Sequence, residues 1–199
     1  MAGVQKHYAK YVTSGGDGPT VLKGRASELG YSPDFLPLDM SHEKLFQASC
    51  GSGCPLRILP AGRITPSDQL VIDLGSGAGH DVILASRVMK EVMDDPDNNH
   101  DNITKKKKVI GIDFTQEMVD AAKENLQQYP DLSHMVEFVQ SDLEDPDADF
   151  LAHYENQADL IISNGVLNLC QNKLLAFQTA YKLLRPGGRL VFSDVMKLE

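Results

Sequence analysis

Acidic residues and glycines recur at the ends of apolar runs in this chain, and their spacing marks where chemistry would reside. Leu70-Val71-Ile72-Asp73-Leu74 is a strand-forming run with an acid near its end. Gly75, Gly77 and Gly79 follow at alternate positions, and an amphipathic stretch opens at His80. The pattern reads as a buried strand, a tight turn and the first turn of a helix. Glycine suits such a turn because a side chain would hold the backbone off a ligand, and because some positions need φ > 0. The helix that follows offers free N–H groups and the positive end of its dipole. Phosphate and dinucleotide sites use similar turns, but two features argue against them here. A dinucleotide fingerprint needs Gly or Ala where His80 stands, and no Gly-Lys-Ser/Thr closes the turn as a P-loop would. Asp73 would repel a pyrophosphate; it suits the cationic end of an amino acid.

The same device returns further along. Val109-Ile110-Gly111-Ile112-Asp113 is a second strand ending in an acid, and a strand-end carboxylate can accept from both hydroxyls of a ribose. Val136 to Gln140 alternates in strand fashion and leads into Ser141-Asp142-Leu143. Ala158 to Asn164 is a fourth strand, with Gly165-Val166 continuing from its end. Ligands of open α/β sheets bind outside the carboxyl ends of the strands, so these tips form the expected site.

Helical stripes must position them. Val82, Ala85 and Met89, with Ile83 beside them, line one face after the Gly-rich turn. Thr115 is placed to cap a helix that buries Met118, Val119, Ala122 and Leu126. Leu174, Phe177, Tyr181 and Leu184 form the stripe of the next helix, and Arg185-Pro186-Gly187-Gly188-Arg189 turns into a fifth strand, Leu190 to Ser193. Alternating strands and helices imply an α/β fold with a parallel sheet and right-handed crossovers.

Two regions lie outside this pattern. Residues 1–68 read as an N-terminal cap of helices and loops ahead of a main domain at 69–199. In the cap, Val4, Tyr8, Tyr11 and Val12 fall at helical spacing before a Ser14–Pro19 break. That helix either packs as a simple N-terminal element or acts as a lid whose tyrosines close over a ligand. The charged stretch from Asp94 to Lys108 is expected to be a solvated insertion. The chain has 199 residues, a net charge of −9 and three cysteines. The acidic balance argues against a general nucleic-acid or anionic-membrane binder. With no secretory or membrane-spanning run, the expectation is a reduced, cytoplasmic setting.

The Asp73–Gly79 pattern, D-x-G-x-G-x-G, resembles the first motif of S-adenosylmethionine-dependent methyltransferases of the Rossmann-like class. A closer likeness rests on several stretches together: Leu29-Gly30-Tyr31-Ser32, Cys50-Gly51, Asp73 to Asp81, Gly111-Ile112-Asp113 with Met118, Ile162-Ser163-Asn164 with Val166 and Asn168-Leu169, and Arg185-Pro186-Gly187-Gly188 with Ser193-Asp194-Val195. Over roughly residues 29 to 196 these look like arsenite methyltransferases. The resemblance implies a class I methyltransferase sheet, mostly parallel, whose usual last two strands have no counterpart before Glu199. It leaves Leu190-Val191-Phe192 at an open sheet edge where copies could associate.

The resemblance also implies S-adenosylmethionine as cofactor. Asp73 would lie near the methionine amino group, with Gly75, Ser76, Gly77 and Gly79 packed along the ligand. Asp113 would meet the ribose, with Phe114 and Met118 beside it. Asp142 would meet the adenine amino group and the Leu143 backbone the ring, and Asn164 and Val166 would complete the wall. The partner implied is a small-molecule methyl acceptor, with no nucleic acid, membrane or structural metal. Arsenite, soft and three-coordinate, calls for convergent thiolates. Cys50 falls where the family carries one such thiol and is the candidate catalytic residue, but Gly165 stands where the family has another. Cys54 and Cys170 are the remaining thiols. The alternative is a cofactor-binding protein of the same fold without arsenite methylation.

Overall fold

The computed structural model describes residues 52–97 and 107–195. Cys50, the segment with Tyr8 and Tyr11, and most of the polar insertion lie outside the described residues. After a 3-10 turn at Pro55–Arg57, five strands and four helices follow: β1 (Leu70–Leu74), α1 (His80–Asp94), β2 (Lys108–Asp113), α2 (Gln116–Leu126), β3 (Val136–Gln140), α3 (Ala148–Tyr154), β4 (Ala158–Asn164), α4 (Lys173–Leu183) and β5 (Leu184–Ser193). All neighbouring strands are parallel, in the order β3-β2-β1-β4-β5. The chain starts at the sheet centre, runs outward through β2 and β3, then crosses back to β4. That reversal opens a crevice at the carboxyl ends of β1 and β4.

The strands at the centre are apolar on both faces because helices cover both faces. Val71 and Ile72 are both fully buried yet belong to different halves of the core. On one side Val71, Val109, Leu160, Ile162 and Phe138 pack against α1 and α2, with Cys54, Leu56 and Ile64 from the segment before β1. On the other, Ile72, Ile110, Ile112 and Ile161 pack against α3 and α4. Each such fully buried aliphatic side chain contributes about 1.5–3 kcal/mol. By the period of two, Asp73 sits on the α1 side with Val71.

Three expectations needed correction in detail. The stripe assigned to α4 is only partly its buried face: Phe177 and Leu184 pack against the core, but Leu174 and Tyr181 are 66% and 79% exposed, while Ala176, Ala180 and Leu183 are buried. Small residues at i and i+4 let the helix lie close on the sheet, and Leu174 and Tyr181 fall outside that contact. Leu184 already belongs to β5. Thr115 stands at the N-cap of α2 but its side chain caps nothing; its hydroxyl bonds to the Asp113 carboxylate. The fifth strand is longer than expected, with an irregular register where Ala158 pairs Leu184 and Leu160 pairs Arg189. Among the described residues β5 pairs only with β4, and Phe192 on it is 44% exposed beside Phe177, ring centres 5.8 Å apart.

Candidate functional site

The Gly-rich turn leaves β1 and folds over the tip of β2. The N–H groups of Gly75 and Ser76 both donate to the Ile112 carbonyl, at 2.8 and 2.9 Å. Gly75, Gly77 and Gly79 have φ of 75°, 51° and 89°, a region that side-chain-bearing residues rarely occupy. At Gly75 space adds to conformation, since a Cβ there would stand 2.6 Å from Val166 Cγ1 and closer still to Cγ2. Val166 therefore packs directly on the turn. A Cβ at Gly77 would meet nothing within 4 Å, so the turn is open there. Asn125 Nδ2 of α2 donates to the Ala78 carbonyl at 3.0 Å and fastens the turn from below.

Asp113 closes the turn to the second strand tip. Its Oδ2 accepts from the Gly77 N–H and its Oδ1 from the Thr115 N–H, both at 2.9 Å. Burial nevertheless raises its carboxyl above the usual range, and these bonds only partly offset the loss of water. The Ser141 N–H donates to the Asp113 carbonyl at 2.9 Å, which sets the start of the β3 loop beside it. There Asp142 Oδ1 accepts from the Glu144 N–H at 2.8 Å, and Leu143 is buried in the α3–α4 half of the core. Phe114 is half-buried with its carbonyl accepting from Gln140 Nε2 at 3.2 Å, and Met118 is buried.

Asp73 is 2% exposed, and no described residue donates a hydrogen bond to its carboxylate. Burial, then the neighbouring charges of Asp81 and Asp113, push its carboxyl well above the ordinary value. Asp81, in the first turn of α1, is a participant that the sequence reading did not single out, although it ends the quoted Asp73–Asp81 motif. It is buried, lies 3.5 Å from His80 Nδ1, and accepts from Asn164 Nδ2 at 2.9 Å. His80 is itself buried at the start of α1 rather than on an open helix face. Three carboxylates thus share one mostly buried corner, a field that favours a cation.

Asn164 uses both ends of its amide within the protein. Its Oδ1 accepts from the N–H groups of Ser52 and Gly53 at 2.7 and 3.2 Å. Beyond it, the loop from Gly165 to Asn172 is clamped from two sides. Glu144 accepts from the N–H groups of Gln171 and Asn172 at 2.9 and 2.7 Å, and Asp194 accepts from the Asn168 N–H and Nδ2 at 2.8 and 3.0 Å. Both clamps were missed by sequence reading. The two described thiols sit in different surroundings. Cys54 is in the core, where burial and then Asp81 push it up to about 12; Cys170 is half-buried and pushed up to about 11 by burial and then Glu144. Both stay protonated at neutral pH. Among the described residues no group of three or more His, Cys, Asp or Glu could hold a metal ion.

Residues 66–199 match the family described as "Methyltransferase domain". The chain belongs to that family. Its relatives include an arsenite methyltransferase of Halobacterium salinarum, 36% identical over 129 residues that make up 65% of this chain and 28% of the relative. An arsenite methyltransferase of Aquipseudomonas alcaligenes is 30% identical over 96% of this chain and 49% of its own length. Among solved structures, an arsenic(III) S-adenosylmethionine methyltransferase of Chlamydomonas reinhardtii is 29% identical, with a TM-score of 0.54 over 72% of this chain and 42% of that one. The chain thus spans half or less of the length of these relatives. The five-stranded parallel sheet and its flanking helices are those of the Rossmann-like class I methyltransferases, as the resemblance implied.

Proposed function

We propose that this methyltransferase domain binds S-adenosylmethionine across the tips of β1, β2 and β3 and serves methyl transfer to a small molecule, of the kind carried out by the arsenite methyltransferases among its relatives. The single observation that carries the reading is the acidic corner. Asp73 is buried with two further carboxylates near it and no hydrogen bond from the described residues, an arrangement that a ligand ammonium group relieves. The remaining residues fit the rest of such a ligand. Asp113 accepts from two N–H groups and the Thr115 hydroxyl and keeps acceptor capacity for one further donor, such as a ribose hydroxyl. Ser76 Oγ is buried and makes no hydrogen bond among the described residues. Gly75, Gly77 and Gly79 let the backbone approach, Val166 and Met118 supply apolar walls, and Asp142 with the Leu143 backbone stands on the β3 side for a base.

When bound, S-adenosylmethionine supplies an electrophilic methyl group on a sulfonium. The chain's own work is then to orient, exclude water and present the acceptor in line. Asp73 and Asp81 hold the positive end, Asp113 fixes the sugar, and the clamped loop beyond Asn164 faces the acceptor side. Cys50 remains the thiol proposed to hold a soft acceptor, with Gly165 leaving the β4 tip without one. The proposed setting is cytoplasmic, with reduced thiols; among the described residues no helix is long and apolar enough to cross a membrane.

The test is incubation of the protein with methyl-labelled S-adenosylmethionine and either arsenite plus glutathione or a panel of thiols and amines. Label appearing in methylated arsenic supports the full reading. Label in another small product keeps the enzyme class and replaces the acceptor, and no transfer to any of them contradicts the catalytic part.

A further inference from the structure

Ser52, Gly53 and Cys54 cross the sheet where β4 and β5 end, far from them in sequence. Asn164 at the tip of β4 accepts both N–H groups of Ser52 and Gly53, while its Nδ2 donates to Asp81 on α1. At the tip of β5, Ser193 lies so close to Gly53 that a Cβ on Gly53 would overlap its Oγ and stand 3.1 Å from its Cβ. The next residue, Cys54, is 5% exposed and packs in the α1–α2 half of the core. One amide side chain therefore ties three elements together: the incoming segment, the tip of β4, and the helix that bears Asp81 beside Asp73.

We propose that Asn164 is a positioning residue, a latch that seats the Ser52–Cys54 segment on the sheet and links its seating to occupancy of the cofactor corner. The coupling rests on the functional reading above; the seat itself does not. A cation in the corner fixes the Asp81 carboxylate, and a fixed carboxylate is the better acceptor for Asn164 Nδ2. Asn164 held in that orientation turns its Oδ1 to Ser52 and Gly53. By linkage, whatever factor the cofactor gains from a seated segment, the segment gains from bound cofactor.

Cys54 reports on the seat. Its burial and its raised thiol pKa make it slow to alkylate while the segment is down. The experiment is timed iodoacetamide labelling of the full chain, with Cys50, Cys54 and Cys170 read separately by fragment mass, with and without S-adenosylmethionine. In the cofactor-free protein, Asn164→Ala is expected to speed labelling of Cys54 by roughly tenfold or more and leave Cys170 unchanged. Cofactor is expected to slow Cys54 labelling about fivefold or more in the wild type, the lower end of common coupling strengths, and to lose that effect in Asn164→Ala. An unchanged Cys54 rate in Asn164→Ala overturns the latch. An unchanged response to bound cofactor overturns the coupling.

Should Asn164→Ala unfold, seen as equal labelling of Cys54 and Cys170, Gly53→Ala decides. It must speed Cys54 labelling by crowding Ser193, and adding Ser193→Gly must slow it again; no change in Gly53→Ala overturns the seat. Calorimetry of the wild type with S-adenosylmethionine stands apart from these results. Absence of binding there removes the functional reading and the coupling, while cofactor-free labelling still judges the seat.

Discussion

Replacing Asp113 separates its two duties, holding the turn and holding a ligand. Its carboxylate accepts the Gly77 and Thr115 N–H groups at 2.9 Å each. Charge-assisted bonds of this kind are worth about 1.5–3 kcal/mol apiece when lost. Against that stands burial, which raises its carboxyl despite both donors, so the ionised group sits at a net disadvantage in the free protein. Removing it also relieves Asp73 of one of its two repulsive neighbours. The lost bonds are therefore partly offset in the free domain, and Asp113→Ala is expected to lower the unfolding free energy by about 1–2 kcal/mol, less than the two bonds alone would give. Ligand binding has no such compensation, because the hydroxyl acceptors vanish and Gly77 loses its tether. A loss of about 2–4 kcal/mol, or roughly 30- to 1,000-fold in Kd, follows. Asp113→Asn keeps one acceptor oxygen without the charge and should fall between. Urea unfolding and calorimetric titration with S-adenosylmethionine measure the two quantities. A variant several kcal/mol less stable that binds S-adenosylmethionine as well as wild type would reduce Asp113 to a turn anchor.

Other consequences follow from the same geometry. Because the folded Asp73 carboxyl binds its proton more tightly than the unfolded one, the free domain should lose stability as pH rises from the unfolded value of about 3.9 through the raised folded value. Asp73→Asn should flatten that slope in thermal unfolding across pH, and an identical slope would remove Asp73 from the acidic corner. Gly111→Val places a Cβ 2.6 Å from Phe138 Cδ1 and 2.7 Å from Ser76 Oγ, and overpacking of this sort should cost about 1–3 kcal/mol in urea unfolding. The β5 edge, which pairs only with β4 among the described residues and carries Phe192 44% exposed, is proposed to support self-association; sedimentation should show Phe192→Lys shifting any dimer to monomer.

How far the chain could be read in advance differs by element. Strand runs such as Val71-Ile72 and Ile161-Ile162, buried on both sheet faces, carry a signal dense enough to mark the strands themselves. Asp73 and Asp113 were legible because an acid ending an apolar strand is conspicuous. The face of α4 was not, since Ala176 and Ala180 bury little area and a count of large apolar residues points to the wrong side. Asn164 was legible as a tip residue but not as the acceptor of Ser52 and Gly53, because these partners stand 112 and 111 positions away. Glu144, and Asp194 within its quoted Ser193–Val195 stretch, were not legible as clamps for the same reason: a carboxylate that accepts from backbone 26 to 28 residues away leaves no local pattern.

The acidic corner at the strand tips is proposed to take the cationic end of a sulfonium nucleoside. Calorimetric titration with S-adenosylmethionine at several pH values tests it most directly. Binding should strengthen as pH rises and release protons as Asp73 is held ionised, with NADH giving no heat. Binding of NADH, or S-adenosylmethionine affinity that weakens with rising pH over the same range, would contradict it.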